Sequence, residues 1–239
     1  MSAVDIALDG NDGRRVDVIA LASASFVADP AGALYWPQHG LLVVADLHLE
    51  KGSSFARRGV FLPPYDSAAT LTRLAALVMR YAPRIVVALG DSFHDGDGPG
   101  RLSDGDRESL LALQRGRDWI WVAGNHDPDP APRIGGVFAP LLVLGGVTFR
   151  HEPTGGDEPE IAGHLHPVAR VPTRARIVRR ACFAGDDTRL VMPAFGAYTG
   201  GLNVRDRAFA AIFRARSFTA HMLGPDRLYP MPAVYCLPD

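Results

Sequence analysis

Cysteine, lysine and long apolar runs are scarce or missing in this sequence. Cys182 and Cys236 are its two cysteines, and such sparse use fits a reducing compartment in which both thiols stay free. No run of about 18 apolar residues occurs, which argues against a membrane-spanning helix. Residues 1–15 are too polar for the apolar segment of a secretion signal. These absences predict a cytoplasmic protein without structural disulfides or membrane contact, and we expect residues 1–15 to be flexible.

A large net charge of either sign is also missing. The formal net charge is -1, which excludes a globally cationic nucleic-acid binder, so contact with DNA would need a local basic groove or bound cations. Of the 25 basic residues, 24 are arginine and only Lys51 is lysine, so a single arginine is weak evidence of function. One run of arginines fits either a phosphate-binding patch or a solvated strand edge: Arg170, Arg174, Arg176, Arg179 and Arg180.

The pattern of apolar residues predicts an α/β protein with a β-rich second half. Apolar stretches bounded by turn residues predict strands at 16–22, 25–27, 33–36, 41–45, 85–89, 119–123, 147–150, 189–192 and 209–214. Apolar residues three and four apart predict helices at 67–81 and 102–113. The continuous run at 85–89 is typical of a strand buried on both faces of a parallel sheet. We expect one domain over residues 1–239, built from two packed mixed β-sheets (a β-sandwich) flanked by α-helices.

Five polar clusters stand at or beyond predicted strand ends, and they hold six of the eight histidines. Ligands of open α/β sheets usually bind beyond the carboxyl ends of the strands. One polar residue at a strand end is usually a turn or cap residue, but five clusters in succession indicate a shared site. The candidate ligands in these clusters are Asp46, His48, Asp91, Asn125, His151, His164 and His166.

These seven side chains predict a pair of metal ions. On an extended segment, the Asp46-x-His48 and His164-x-His166 pairs would each send both side chains to one face, so that each pair grips one metal region. The donors are carboxylates, imidazoles and an amide oxygen without thiolate, which suits manganese, iron or zinc. Seven donors exceed what one ion takes from protein while keeping an open position, so we expect two divalent ions.

The motifs resemble those of the calcineurin-like metallophosphoesterase superfamily. That family's pattern runs D-x-H, G-D, G-N-H-D/E, H and G-H-x-H, and every part is present here in the same order. The resemblance implies the calcineurin-like fold and a first ion held by Asp46, His48, Asp91 and His166. It also implies a second ion held by Asp91, Asn125, His151 and His164. The Asp91 carboxylate would then bridge the two ions. His126 matches the family's histidine that does not bind metal.

A closer resemblance, over residues 33–204, is to the bacterial DNA-ligase-associated metallophosphoesterases. The segments that carry it are 45–52 (ADLHLEKG), 55–64 (FARRGVFLPP), 162–167 (AGHLHP) and 192–204 (MPAFGAYTGGLNV). Members of that group are similar to manganese-dependent endonucleases of single-stranded DNA. The resemblance therefore implies a role in DNA repair, with manganese favoured over iron or zinc. It also implies DNA as partner, and a ligase, a helicase and an exonuclease of the same pathway.

Several further residues are candidates for contact with substrate. The G-D-x-F-H form at 90–94 resembles that of double-strand-break repair nucleases, in which the extra histidine, here His94, orients the phosphodiester. The alternative is that His94 packs or caps a loop. Arg57 and Arg58 either contact DNA phosphates or solvate a loop. Tyr198 and Asn203 are candidates at the border of the metal site, although the glycines around them fit turn structure alone.

His126 is the candidate general acid of the reaction. A departing alkoxide needs a proton or a nearby positive charge, and histidine is the side chain that most often transfers a proton. Asp127 follows directly, and either fixes the orientation of the imidazole by a hydrogen bond or caps the next turn. The sequence thus predicts a metal-dependent phosphodiesterase in which His126, His94 and Asp127 stand beside the metal ions.

Two other functions stay open at this stage. The metal site alone also fits a phosphoesterase of a small-molecule phosphodiester or nucleotide, because the superfamily shares this core. A non-catalytic scaffold for repair partners would carry degenerate ligands, whereas this chain keeps all seven candidate ligands together with His126.

Overall fold

The computed structural model of the protein describes residues 16–128, 133–214 and 217–239. Residues 1–15, for which the sequence predicts flexibility, lie outside this description. The strands are β1 (Val18–Leu21), β2 (Ala24–Asp29), β3 (Ala33–Trp36), β4 (Leu41–Val44), β5 (Ile85–Leu89), β6 (Asp118–Val122), β7 (Val137–Ala139), β8 (Leu142–Leu144), β9 (Val147–Arg150), β10 (Glu160–Ala162), β11 (Pro167–Pro172), β12 (Ile177–Gly185), β13 (Arg189–Val191), β14 (Leu202–Asn203), β15 (Thr219–Leu223) and β16 (Leu228–Pro232). The helices are α1 (Lys51–Ala56), α2 (Asp66–Tyr81), α3 (Gly98–Arg101), α4 (Asp104–Gln114) and α5 (Arg207–Ile212).

Seven strands of the described residues form the first sheet, in chain order from β1 to β7. The strands β1 to β4 pair antiparallel and contain the two hairpins that the sequence predicts. The strands β4 to β7 are parallel, with Leu41 opposite Ile85 and Ile85 opposite Asp118. The carboxyl ends of β4, β5 and β6 therefore meet at one edge of this sheet.

The second sheet contains nine strands within the described ranges. Its main path runs β14, β11, β12, β13, β10, β9 and β8, and β15 and β16 join it through β12. The strands β9, β10 and β13 are parallel, and Arg150 lies opposite Ala162. His151 and Gly163, the residues that follow β9 and β10, therefore start at the same edge. The predicted class, two mixed sheets flanked by helices, is confirmed.

Apolar side chains fill three layers around the two sheets. Between the sheets, Leu41 and Val43 of β4 share one buried cluster with Phe149 of β9. Leu42 and Val44, on the opposite face of β4, pack in a second cluster with side chains of α2 and α4. Alternate residues of β4 thus enter different cores, which explains its continuous apolar sequence. A third cluster lies between the second sheet and α5.

Both predicted helices are present with shifted bounds. Helix α2 begins at Asp66, one residue before the predicted start, and its leucines pack against the first sheet. The helix predicted over 102–113 begins at Asp104 instead. The Ser103 hydroxyl accepts the Asp106 backbone N–H there and caps the first turn of α4.

The strand predicted at 209–214 is wrong, because residues up to Ile212 belong to helix α5. The Asp206 carboxylate accepts the Ala208 backbone N–H at 2.9 Å and caps the first turn. Phe209 and Phe213 lie four residues apart, and both are fully buried in the core of the second sheet. Their spacing is one helical turn, but residues four apart also share a face in a strand, so the apolar pattern alone does not distinguish the two.

Asp206→Ala should lower the free energy of unfolding by about 1 kcal/mol, because the first turn of α5 loses its cap. Asp206→Asn keeps an acceptor in the same place and should cost little. Urea denaturation followed by circular dichroism measures both variants. Equal stability of Asp206→Ala and the wild-type protein would show that the cap contributes nothing.

Both cysteines are free, as their sparse use predicted, and both are buried. Burial raises the pKa of the Cys182 thiol, which keeps it in the unreactive protonated form. In the described part of the chain, no helix is long and apolar enough to cross a membrane.

Candidate metal centre

The candidate ligands lie in loops that follow β4, β5, β6, β9 and β10. Five of them have left-handed backbone, with φ of 53° at Asp46, 43° at His48, 46° at Asp91, 70° at His164 and 46° at His166. The prediction that the D-x-H and H-x-H pairs sit on extended segments is therefore wrong. Left-handed angles cost a residue other than glycine about 1–2 kcal/mol, and such strain is concentrated at functional sites.

Asp46, His48 and His166 form the first cluster. Nε2 of His166 lies 3.3 Å from Oδ1 of Asp46 and 3.4 Å from Nε2 of His48. Burial lowers the pKa of His48 to about 2, and the neighbouring His166 adds to the effect, so His48 is neutral, as a metal ligand must be. Burial also lowers the pKa of His166, but the hydrogen bond and charge of Asp46 outweigh it and raise that pKa above its ordinary value.

Asp91, His151 and His164 form the second cluster. Nε2 of His151 lies 3.4 Å from Oδ1 of Asp91 and 3.1 Å from Nδ1 of His164. Asn125 completes the cluster, because its Oδ1 is 2.9 Å from Nε2 of His151 and 3.0 Å from Nδ1 of His164. His164 and His166 thus belong to different clusters, and the prediction that this pair grips one metal region is wrong.

Asp91 stands between the two clusters. Its Oδ1 faces His151, whereas its Oδ2 lies 3.9 Å from Nε2 of His48. A carboxylate with one oxygen toward each cluster can bridge two cations. The structure thus brings all seven candidate ligands together, and their binding of metal stays a prediction.

The donor atoms of the second cluster fit a divalent cation. Nδ1 of His151 donates a hydrogen bond to the Leu89 carbonyl at 2.9 Å, so Nε2 of the neutral ring carries a lone pair. This lone pair faces Oδ1 of Asp91 and Oδ1 of Asn125. A cation between these atoms and the neighbouring Nδ1 of His164 would take a lone pair from each of them. Their nitrogen and oxygen types suit manganese, iron or zinc.

Two glycines allow the ligand loops to approach one another. A Cβ on Gly90, whose φ is 71°, would lie 2.5 Å from Cγ of His151. A Cβ on Gly124 would collide with the backbone nitrogen of Asp91. The glycines of the G-D and G-N-H motifs are therefore required by close packing around the ligands.

His126 lies beside the clusters without belonging to either. Its Nδ1 donates to the His94 carbonyl at 2.8 Å, and its backbone N–H donates to Oδ1 of Asp91 at 2.9 Å. Nε2 of the ring is 3.9 Å from Oδ2 of Asp91, and the side chain is 39% exposed. A substrate held at the clusters can therefore reach Nε2. The group that orients His126 is the His94 carbonyl. It could not be predicted from the sequence, because a backbone acceptor in a loop leaves no signal in residue types.

Asp127 does not orient His126, contrary to one of the two predictions made for it. Its Oδ2 accepts the Phe93 backbone N–H at 3.0 Å, and the His94 carbonyl takes the place at Nδ1 of His126. Burial raises the pKa of Asp127 to about 7. Asp127 therefore ties the loop after β6 to the loop after β5.

His94 packs into the wall of the site. Its ring stacks on that of His126, with centroids 5.3 Å apart and planes 26° from parallel. The Phe55 ring also lies against it, with centroids 5.5 Å apart. Burial lowers the pKa of His94, and the charge of Lys51 adds to this shift. Packing was one of the two alternatives for His94, and its contact with substrate stays a prediction.

Arg57 and Arg58 line a cavity of about 500 Å³ together with Asp95 and Asp97. Nη1 of Arg57 pairs with Oδ2 of Asp97 at 2.9 Å, and both side chains are exposed. Because Asp95 directly follows His94, the cavity opens next to the candidate metal centre. Contact of the two arginines with substrate stays a prediction.

Segment 192–204 borders the first cluster. The Phe195 N–H donates to the Ala45 carbonyl at 2.8 Å, and the Gly196 N–H donates to the Asp46 carbonyl at 3.1 Å. Tyr198 is half-buried two residues further along. Its predicted contact with substrate is untested.

Asn203 is engaged away from the clusters. Its Nδ2 donates to the Leu237 carbonyl at 3.0 Å and to Oδ1 of Asp239 at 3.1 Å. Its Oδ1 accepts the Arg205 N–H at 2.9 Å. Asn203 therefore holds the C-terminal segment, and the substrate contact predicted for it has no support.

The arginines between 170 and 180 do not share one face. Arg170 lies opposite Arg179 across β11 and β12, whereas Arg180 belongs to the next pair and points to the other face. Arg170 donates to the Pro238 carbonyl, and Nη2 of Arg179 donates to the Gly201 carbonyl at 2.9 Å. These contacts favour the interpretation of the run as a solvated strand edge.

The two-sheet fold, with its paired clusters of carboxylate, imidazole and amide donors, is that of a metallophosphoesterase. The sequence pattern of calcineurin-like phosphoesterases matches residues 40–185, more than half of the chain. The chain therefore belongs to the calcineurin-like phosphoesterase family.

Among solved structures, the chain is similar to the nuclease MPE from Pseudomonas putida, with 26% identity and a TM-score of 0.71. This match covers 91% of the present chain and 100% of the nuclease. The phosphoesterase Yfce from E. coli matches with 14% identity and a TM-score of 0.37, over 80% of this chain and 97% of Yfce. A conserved uncharacterized protein from Streptococcus pneumoniae TIGR4, described as a predicted phosphoesterase, matches with 15% identity and a TM-score of 0.33, over 80% of this chain and 96% of that one. No protein of curated function matches the chain significantly.

Proposed function

We propose that the protein is an endonuclease of single-stranded DNA that uses two divalent cations, with manganese favoured over iron or zinc. The observation that carries the proposal is the pair of ligand clusters, in which Asp91 of the second lies 3.9 Å from Nε2 of His48 in the first and 3.9 Å from Nε2 of His126. Similarity to a nuclease over 91% of the chain supports a nucleic acid as substrate. The motifs that resemble the DNA-ligase-associated group support single-stranded DNA. They also support a role in cytoplasmic DNA repair alongside a ligase, a helicase and an exonuclease.

The seven candidate ligands divide between two cations in this proposal. One cation would be held by Asp46, His48, His166 and Asp91. The other would be held by Asp91, Asn125, His151 and His164. When bound, the two cations supply a nucleophile from water at neutral pH and neutralise the oxygens of the phosphodiester. Asp46 and His48 of the first cluster are buried, which keeps their donor atoms in place to hold the cation.

His126 would protonate the departing oxygen. Because Nδ1–H donates a hydrogen bond to the His94 carbonyl at 2.8 Å, the second proton of an imidazolium is on Nε2, on the side of the clusters. As the bond between phosphorus and the leaving oxygen breaks, this proton moves to that oxygen and leaves His126 neutral. The stacked ring of His94 limits the rotation of His126 away from this position.

Closed circular single-stranded DNA provides the direct test of the proposed activity. With Mn²⁺ present, the protein should cut the circles internally, and chelation of the cation with EDTA should stop cleavage. Parallel reactions with Mg²⁺, Zn²⁺ and Fe²⁺ identify the active metal. An Asp46→Asn variant, purified in the same way, controls for contaminating nucleases and should be inactive.

The small diester bis-p-nitrophenyl phosphate separates the rival functions in the same assay. Hydrolysis of the small diester with DNA left intact would show that the enzyme acts on small molecules. A protein that binds no divalent cation and cleaves neither substrate would be a scaffold. Both results contradict the endonuclease proposal.

A further inference from the structure

The loop at residues 57–65, which joins α1 to α2, presents two aromatic rings to solvent. Phe61 is 85% exposed and Tyr65 is 69% exposed. Large apolar rings normally lose most of their exposed surface on folding, and clusters of them that stay exposed often mark binding surfaces. Two such rings within five residues therefore indicate a binding surface for a ligand with flat apolar faces.

This aromatic loop is fixed against the helix that leads out of the metal centre. Helix α1 begins three residues after His48, and its Phe55 ring packs on His94 at 5.5 Å. The loop leaves α1 through a turn in which the Phe55 carbonyl accepts the Val60 N–H at 3.1 Å. At its far end, Oδ2 of Asp66 accepts the Gly52 N–H at 3.0 Å and brings the loop back to the start of α1. The rings are thus attached to the wall of the site at both ends of the loop.

Among the residues that the structure describes, two cations beside the aromatic loop, Arg58 and Lys51, are left without a direct carboxylate partner, although the charge of Asp66 acts on Lys51. The cavity next to the loop contains the carboxylates of Asp95 and Asp97. Arg101 pairs with Asp95 at 2.9 Å and Arg57 pairs with Asp97 at 2.9 Å. Within the described ranges, Arg58 and Lys51 form no ion pair, so their charges stay available for an anion. A cavity lined by the unpaired Arg58, next to a loop that carries two exposed rings, matches a chain of phosphates that carries aromatic bases.

We propose that Phe61 and Tyr65 stack on unpaired bases of a DNA strand whose scissile phosphate lies at the metal centre, while Arg58 and Lys51 hold its phosphates. This inference rests on the proposed endonuclease function and adds the residues that select single strands. In a duplex, each base is already stacked and paired, so its faces are closed to a protein ring. In a single strand the faces are free, and every base offers one regardless of sequence. The aromatic loop would therefore favour unpaired DNA without a sequence preference.

Steady-state cleavage of an oligothymidylate tests the stacking role. With Mn²⁺ present, Phe61→Ala should raise KM by roughly 5- to 150-fold, the range expected when one stacked base loses its aromatic partner. Tyr65→Ala should act in the same direction, and Tyr65→Phe should behave as wild type because it keeps the ring. Hydrolysis of bis-p-nitrophenyl phosphate, which carries no DNA bases, should change far less than DNA cleavage in all three variants.

Two controls separate stacking from other effects. Tyr235→Ala removes a ring that is 67% exposed, close to the exposure of Tyr65, but lies in the C-terminal segment. It should leave every rate unchanged. An abasic strand of the same length keeps the phosphates and lacks the bases, so Phe61→Ala should not alter its KM.

The outcomes distinguish this inference from the function on which it rests. Wild-type protein that does not cut single-stranded DNA would overturn the proposed function and the stacking role together. Wild-type cleavage with an unchanged KM in Phe61→Ala and Tyr65→Ala would overturn stacking alone. An equal rise of KM on the abasic strand would also overturn it, because the loss would then not depend on bases.

Discussion

Asp91→Ala is expected to lose both cations and to abolish phosphodiester hydrolysis. Its Oδ1 lies 3.4 Å from Nε2 of His151 in one cluster, and its Oδ2 lies 3.9 Å from Nε2 of His48 in the other. The same Oδ1 accepts the His126 backbone N–H at 2.9 Å. Removal of this one carboxylate therefore takes a negative donor from both clusters and releases the loop that carries the candidate general acid. No other candidate ligand has an oxygen toward each cluster and a bond to that loop.

Metal content of the purified protein, measured by inductively coupled plasma mass spectrometry, checks this expectation beside the activity assay. Asp91→Asn keeps the shape of the side chain and an oxygen that can accept the His126 N–H, but it loses the negative charge. It therefore separates the effect of the charge from that of the contact with the loop of His126. Asp118→Ala is the matched control, because this exposed carboxylate stands at the opposite end of β6. It should retain both cations and full activity. Two tightly held cations in Asp91→Ala would contradict the bridging role.

The elements that the sequence predicts with the right bounds are those whose patterns are local. The strands 33–36, 85–89 and 147–150 have the observed limits, because turn residues close them and buried neighbours suit their apolar runs. Helix α1 was not predicted, because its start depends on contacts with residues far away in the sequence. Glu50, which precedes it with left-handed backbone, is held by the hydroxyls of Ser53 and Ser67. A six-residue helix of ordinary propensity gives no periodic signal of its own.

The convergence of the candidate ligands was predictable, whereas its geometry was not. Residue types at five strand ends were sufficient to predict that these side chains meet, because the topology gathers those ends at one place. The same-face argument for His164 and His166 failed because both residues are left-handed, which sends their rings to different clusters. Tertiary hydrogen bonds impose such angles, for instance the bond from the His48 N–H to the Asp91 carbonyl at 2.9 Å. The backbone path through the loops is therefore a property of the assembled sheets and is not encoded in any single motif.

His126→Ala is expected to keep both cations and to lower turnover of DNA by a factor on the order of 100 or more, the usual effect of removing a general acid. The ring contributes no atom to either cluster, so metal content should match that of the wild-type protein. His221→Ala serves as control, because it removes a half-buried imidazole of β15 outside both clusters. Unchanged turnover in a metal-loaded His126→Ala protein would refute the assignment.

Comparison of two leaving groups shows whether His126 acts as an acid or only supports the metal centre. A DNA alkoxide needs a proton to depart, whereas p-nitrophenolate is stable as an anion and departs without one. His126→Ala should therefore lose far more activity on DNA than on bis-p-nitrophenyl phosphate, and added imidazole should restore part of the loss on DNA by supplying the proton. An equal loss on both substrates, with no rescue, would mean that the ring acts through Asp91, whose Oδ2 lies 3.9 Å away, and not on the departing oxygen. The ratio of the two losses thus measures proton transfer separately from the positioning of the metal centre.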